Sequence, residues 1–211
     1  MQNTVFTIGH STHPQDRFIA LLREHGITAL CDVRSNPFSR TNPQFNLDEL
    51  KAVLPENGTK YLFLGKELGA RSEDPACYEG GQVQYDRLAR TELFQRGLAR
   101  IQEGMSKGFR IVLMCAEKEP LECHRTILVA RHLAALGIDV QHIHANGHLE
   151  SHSDALRRLA QMVDVPEQDI LRRSPDELQD DTYRRQEKRV AYVLKRASTL
   201  DRPPAFQRAN R

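Results

Sequence analysis

The sequence predicts an α/β fold, an open, mostly parallel five-stranded sheet with helices on both faces, followed by a C-terminal helical extension. Three observations predict it. Along residues 4–144, short and continuously apolar runs alternate with stretches whose apolar residues recur at helical spacing, as in parallel strands buried on both faces. Glycine and polar clusters separate the two kinds of segment. From residue 156 onward the chain becomes polar and keeps only the helical spacing.

Residues 4–8 read as the first strand, and Gly9-His10-Ser11-Thr12 leads into a helix in which Phe18, Leu21 and Leu22 share a face until Gly26 stops it. Thr12 and Gln15 have the spacing of a capping box, with Pro14 in the first turn. Residues 27–33 form the second strand, ending in Asp32-Val33-Arg34, and Asn46 is placed to cap a helix over 47–54. A third strand over 61–64 runs into Gly65-Lys66-Glu67-Leu68-Gly69-Ala70-Arg71. An irregular stretch with Pro75, Gly80 and Gly81 precedes one helix over about 86–105. Residues 110–115 are the fourth strand, 126–136 its helix, and 140–144 the fifth strand. The run 184–196 is strongly basic, and as a helix it would align Tyr183, Val190, Ala191 and Leu194 on one face. The domain reading is therefore an α/β domain over 1–150 that carries the site, a helical extension over 151–200 packed on it, and a disordered tail over 201–211.

With 211 residues, 39% hydrophobic and 27% charged, the chain can bury one sizeable core and not two. No basic stretch followed by an apolar run opens it, and no segment nears the roughly 20 apolar residues of a membrane span. A cytoplasmic protein with no membrane partner is expected. Cys31, Cys77, Cys115 and Cys123 are too few and too unevenly spaced for a disulfide framework and form no C-x-x-C pair, which fits a reducing compartment. The net charge of +2 neither favours nor excludes nucleic acid.

In an open parallel sheet, ligands bind beyond the carboxyl ends of the strands. There the first strand delivers His10 and Ser11, the second Asp32 and Arg34, the third Lys66, the fourth Cys115 and Glu117, and the fifth His144 and Asn146. The densest chemistry lies between Cys115 and Arg125, where an apolar strand runs into a helix start whose free N–H groups favour a thiolate or a bound anion. Cys115 and Cys123 are the candidate nucleophiles, and His10, Asp32 and Glu117 the candidate proton-transfer groups. Ser11, Arg34, Arg40, Lys66, Arg71, His124 and Arg125 are candidate substrate-binding residues, because guanidinium forks and helix-start donors match phosphate. Cys31 and Cys77 read as structural. Cys115, Cys123 and His124, with His142, His144, His148 and His152, offer sulfur and nitrogen to zinc, but no pair has a finger spacing, so neither metal nor cofactor is expected. G-x-G-x-x-G, a Walker lysine loop and G-x-S-x-G are absent from the sequence, which removes support for dinucleotide binding and serine hydrolysis.

Thr7-Ile8-Gly9-His10-Ser11, Asp32-Val33-Arg34, Asn42-Pro43-Gln44-Phe45-Asn46, Leu68-Gly69-Ala70-Arg71, Cys115-Ala116-Glu117 and Cys123-His124-Arg125 together resemble the bacterial family known as domain of unknown function 488, over residues 4–145. Residues 183–192 resemble a C-terminal segment of its longer members, while Ala70 stands where many relatives carry a second glycine. The expectation is an enzyme that binds a phosphate-bearing or nucleotide-like substrate at the carboxyl edge of the sheet through Cys, His, Arg and carboxylate chemistry. Two alternatives stand beside it: a nucleic-acid or partner-binding module using the basic C-terminal helix, and a thiol redox or sulfur-transfer protein.

Overall fold

The computed structural model describes residues 3–163 and 174–194. Its first half runs β1 (Thr4–Gly9), α1 (Gln15–Glu24), β2 (Ala29–Asp32), α2 (Leu47–Glu56), β3 (Lys60–Phe63) and α3 (Gly65–Leu68). A small hairpin, β4 (Tyr78–Glu79) and β5 (Gln82–Val83), precedes α4 (Tyr85–Ala89) and α5 (Glu92–Ser106). Then come β6 (Ile111–Cys115), a π-helical segment over Arg125–Ala130 continuing into α6 (Arg131–Ala135), β7 (Asp139–Ile143), β8 (Leu149–Ser151), α7 (His152–Met162) and α8 (Pro175–Val190).

Period-two alternation inside the strands divides the core between two faces. Phe6, Ile8, Leu30, Val112 and Met114 point to the face covered by Phe18, Leu21 and Leu22 of α1 and Leu50 and Leu54 of α2. Val5, Cys31, Ile111, Leu113 and Cys115 point to the other, covered by Phe94, Leu98 and Ile101 of α5 and by residues of α6, α7 and α8. The main sheet has the order β3-β2-β6-β1-β7-β8, the first five strands parallel and β8 antiparallel. The α/β class and all five expected strands are present. Because β1 and β2 flank β6, the residues that follow these three strands emerge side by side at one edge, where the direction of strand addition reverses.

Several local expectations change. The sheet has six strands: β8 folds back on β7 through a turn in which Gly147 has φ 93°, a left-handed conformation suited to glycine. The Thr12–Gln15 capping box does not form. Pro14 is the N-cap of α1 without a side-chain bond, and Gln15 instead donates from Nε2 to Gln44 O, tying the helix start to the loop before α2. Asn46 is the N-cap of α2, but its Oδ1 accepts from Ser39 N. The helix expected over 86–105 is two helices, because Thr91 Oγ1 accepts from Phe94 N and starts α5 afresh. The helix expected over 126–136 opens as a π-helical segment, a variant often found beside functional sites.

The basic C-terminal run also reads differently. Helix α8 starts at Ser174, where a capping box with Glu177 forms, and its sixteen residues hold five acidic and four basic side chains. The helical part of the basic window, residues 184–190, therefore closes a helix whose first turns are acidic, which leaves the helix charge-balanced. It ends at Val190, so Leu194 does not share its face; Val83 N donates to Tyr192 O and Leu194 N to Gly81 O, pairing this segment with the β4–β5 hairpin. Residues 164–173, Lys195, Arg196 and the tail over 201–211 lie outside the described residues. No helix among the described residues is long and apolar enough to cross a membrane.

Candidate active site

Beyond the carboxyl ends of β1, β2 and β6 the polar groups surround a cleft with two lobes. One lobe, about 310 Å³, is lined by Cys115, Glu117, Cys123, His124, Arg71 and Tyr192. The other, about 390 Å³, is lined by His10, Ser11, Thr12, Ser39, Thr41 and Asn42. Arg34, Asn36, Phe38 and Ala116 line both, which makes them compartments of one cleft. Its floor continues the sheet ladder: His10 N donates to Cys115 O and Ser11 N to Ala116 O, both at 2.9 Å. Ser11 has φ 48°, the one left-handed non-glycine among the described residues, and such strain concentrates at working sites.

Both candidate nucleophiles, Cys115 and Cys123, line the first lobe. Cys115 ends β6, and the chain returns through a 3₁₀ turn at Pro120–Glu122 to place Cys123 and His124 against it. His124 Nδ1 stands 3.7 Å from Sγ of both Cys115 and Cys123, while its Nε2 hydrogen bonds the Val33 carbonyl at 2.9 Å. Cys123 Sγ lies 2.9 Å from Glu117 Oε2 and accepts the Arg125 backbone N–H at 3.4 Å. Burial opposes ionisation of Cys123, but the Cys115 hydrogen bond and the charges of Arg125 and His124 outweigh it, so this thiol is held well below its ordinary range. Burial, and then the Cys123 sulfur beside it, push the Cys115 thiol well up. Burial and the Cys123 charge also raise the Glu117 carboxyl. Burial would lower His124, yet the sulfur of Cys123 raises it.

Other predicted site residues take supporting places. Asp32 is fully buried and all its contacts are internal: Arg34 donates from N and Nε to Oδ1 and from Nη2 to Oδ2, and Tyr61 OH donates to Oδ2. His10 bonds Ser11 O through Nδ1 and Arg34 Nη1 through Nε2, stacks on Phe45, and is lowered to about 4, chiefly by burial. With both ring nitrogens engaged it braces Arg34, and neither His10 nor Asp32 offers a free atom for proton transfer. Arg34 commits four of its five N–H groups to Asp32, His10 and Phe45 O, leaving one on Nη1 where it lines the cleft. Arg125, 1% exposed, donates to the carbonyls of Glu117 and Lys118 and so holds the loop rather than a ligand.

Arg71 does reach the cleft, its guanidinium 4.4 Å above the Tyr192 ring. Lys66 lines an adjoining hollow with Glu67, Asp74 and Thr91, which shares Ser35 and Arg71 with the first lobe, and Arg40 is exposed outside both lobes. His144 pairs with Glu150 at 2.8 Å, and Asn146 Oδ1 accepts from His148 N in the β7–β8 turn, away from the cleft. His142 and His152 form a buried chain from Thr7 Oγ1 to Tyr183 OH, apart from the two thiols. Sequence reasoning missed Asn36, Phe38, Thr41 and Tyr192 as cleft residues. The loop between Arg34 and Asn46 could have been found from its position after a strand, whereas Tyr192 arrives only because the segment after α8 pairs with the hairpin.

Residues 14–132, more than half of the chain, match the family model described as Domain of unknown function DUF488. The chain belongs to this family. Within the matched DUF488 region lie Asp32, Arg34, Arg71, Cys115, Glu117, Cys123, His124 and Arg125, while His10, Ser11 and Tyr192 fall outside it. No curated protein and no solved structure gives a match to this DUF488 chain.

Proposed function

We propose that the protein is an enzyme that takes a phosphate-bearing or nucleotide-like substrate into the cleft and activates a nucleophile at the Cys115–Glu117–Cys123–His124 group. The observation that carries this reading is the union of two unlike lobes: sulfur, imidazole and carboxyl groups in one, hydroxyl and amide groups around the strained Ser11 in the other. Arg71 and the remaining Nη1 N–H of Arg34 supply positive charge for an anion. Phe38, 60% exposed between the lobes, supplies a ring face for a base. Glu117, its carboxyl raised above the usual range, receives the proton released by the nucleophile. Four free, buried cysteines suit a reducing compartment, and we place the protein in the cytoplasm.

A second reading, thiol redox or sulfur transfer, draws on the depressed Cys123 thiol beside Cys115. It requires the two sulfurs to form a disulfide or persulfide under mild oxidation. The charge balance of α8 is the reason the nucleic-acid reading is not favoured.

The test is thermal unfolding of the full chain with inorganic phosphate and with nucleoside mono-, di- and triphosphates. A ligand at a hundred times its dissociation constant adds about 2.7 kcal/mol, a rise of roughly 5–10 °C for a chain of this size. Arg71→Ala should abolish most of that rise, and Glu117→Gln should keep binding but lose turnover of whichever compound binds. If no phosphate-bearing compound raises the midpoint, or Arg71→Ala responds like wild type, the reading is wrong.

A further inference from the structure

We propose that Cys115, Cys123 and His124 bind one zinc ion in the reduced protein, with the fourth coordination position open to the cleft. Sγ of Cys115, Sγ of Cys123 and a ring nitrogen of His124 all lie within 4.8 Å of one another. In a tetrahedral site with ordinary zinc–sulfur and zinc–nitrogen bonds, the sulfur-to-nitrogen edge is about 3.6 Å. Both sulfur-to-nitrogen edges here are 3.7 Å, about a tenth of an ångström from that value, and the sulfur-to-sulfur edge lies within 4.8 Å.

The surroundings match a metal ligand set. His124 Nε2 hydrogen bonds the carbonyl of Val33, a fully buried residue at the end of β2, and this bond leaves the Nδ1 lone pair facing the two sulfurs. The Arg125 backbone N–H aimed at Cys123 Sγ is a donor of the kind that supports a ligating thiolate. Two thiolates neutralise a divalent ion, so the buried group carries no net charge. Two soft sulfurs and one imidazole favour zinc over magnesium or calcium.

Among the described residues no fourth Cys, His, Asp or Glu donor completes the group, and its three members line the cleft. Three protein ligands with one open position is the arrangement of catalytic zinc rather than structural zinc. Glu117, 2.9 Å from Cys123 Sγ, stands next to the ligands without joining them. A water on the open position would pass its proton to Glu117, and the oxygen lone pair left on the ion would form the new bond to the substrate while the leaving group departs with the electrons of the broken bond. The zinc site itself stands without the anion-binding reading; this use of the open position rests on it. The sequence-based expectation of no metal came from spacing. Cys115 and Cys123 fit no finger pattern because the turn at Pro120–Glu122, not a short knuckle, brings them together.

The experiment is titration of the chelator-stripped, reduced, full-length chain with cobalt(II) and then zinc. Expected are a sulfur-to-cobalt charge-transfer band saturating at one equivalent, its displacement by zinc, and a higher unfolding midpoint with zinc. Cys115→Ser, Cys123→Ser and His124→Ala should each weaken binding by more than about tenfold, while Cys31→Ser and Cys77→Ser leave it unchanged. Absence of the band in folded wild type, or its persistence in Cys115→Ser, overturns the proposal, and the wild-type titration decides even where a variant does not fold. A metal-free protein isolated with a Cys115–Cys123 disulfide also overturns it, in favour of thiol redox chemistry. Zinc binding without any response to phosphate compounds would sink the anion reading alone.

Discussion

Replacing Gly9 by alanine should damage the protein out of proportion to one methyl group. Gly9 ends β1 opposite Cys115, and a Cβ built there would stand 1.8 Å from Glu117 O and 2.8 Å from Glu117 C. Both atoms are backbone, so neither can rotate away, and the loop must retreat by roughly 1.5 Å to reach ordinary contact. That movement pulls Glu117 O from Arg125 Nη1, now 2.7 Å away, and leaves a buried guanidinium short of an acceptor. Overpacking costs about 1–3 kcal/mol and loss of a charged hydrogen bond about 1.5–3, with overlap between them because one displacement causes both. We expect Gly9→Ala to lose about 3 kcal/mol in urea unfolding and roughly 6–12 °C in midpoint. Cobalt binding should weaken as well, since the same loop sets Glu117 against Cys123. Gly104→Ala is the internal control: its Cβ meets only the flexible end of Ile111, at 2.9 Å, and helix α5 gains from losing a glycine. If Gly9→Ala changed stability by less than about 0.5 kcal/mol, the close approach of β1 to the Glu117 backbone would not be the constraint described.

Three further outcomes are expected. Asp32→Asn should cost about 3–5 kcal/mol in urea unfolding, because it strands Arg34, 5% exposed, without its countercharge; a loss under 1 kcal/mol would mean the guanidinium finds water. Burial lowers His152 to about 4 from an ordinary 6.5, so the unfolded chain binds more protons between these values and stability present at pH 7 falls as pH drops through that window. His152 alone accounts for about 3 kcal/mol, and His152→Gln should flatten the pH dependence of unfolding between 6.5 and 4.5; an unchanged slope would refute the assignment. In the chelator-treated chain at pH 7, iodoacetamide should label Cys123 first and Cys31, pushed up to about 12 by burial, last, as read by peptide mass spectrometry. Equal labelling of the two would contradict the electrostatics of the cleft.

The legible parts of the fold were those governed by local periodicity. All five parallel strands could be read because buried strands are continuously apolar, and the strand-end rule placed Cys115, Glu117, Arg34 and Ser11 at one edge. Local signals were also passed over. Asn146-Gly147 between two extended segments is a hairpin signature that would have revealed β8, and Thr91 ahead of Glu92 marks the start of α5. The Thr12–Gln15 pair failed for a different reason: a long-range bond to Gln44 O outweighed the local cap. Asp32 and His10 were read as reactive because they are titratable at strand ends. Only the partners around them, Arg34, Tyr61 and the Ser11 carbonyl, turn them into braces.

The amino-acid order alone determined the α/β class, the five parallel strands and the family, since apolar spacing and short motifs act between near neighbours. Tertiary structure decided which polar groups meet. It brought Cys123 and His124 back onto Cys115, turned Arg125 inward to hold the loop, and carried Tyr192 from beyond α8 to the cleft wall. Those contacts depend on where a turn returns and which edge is left to pair, and such distances are set by the packing of the whole sheet rather than by any window of residues.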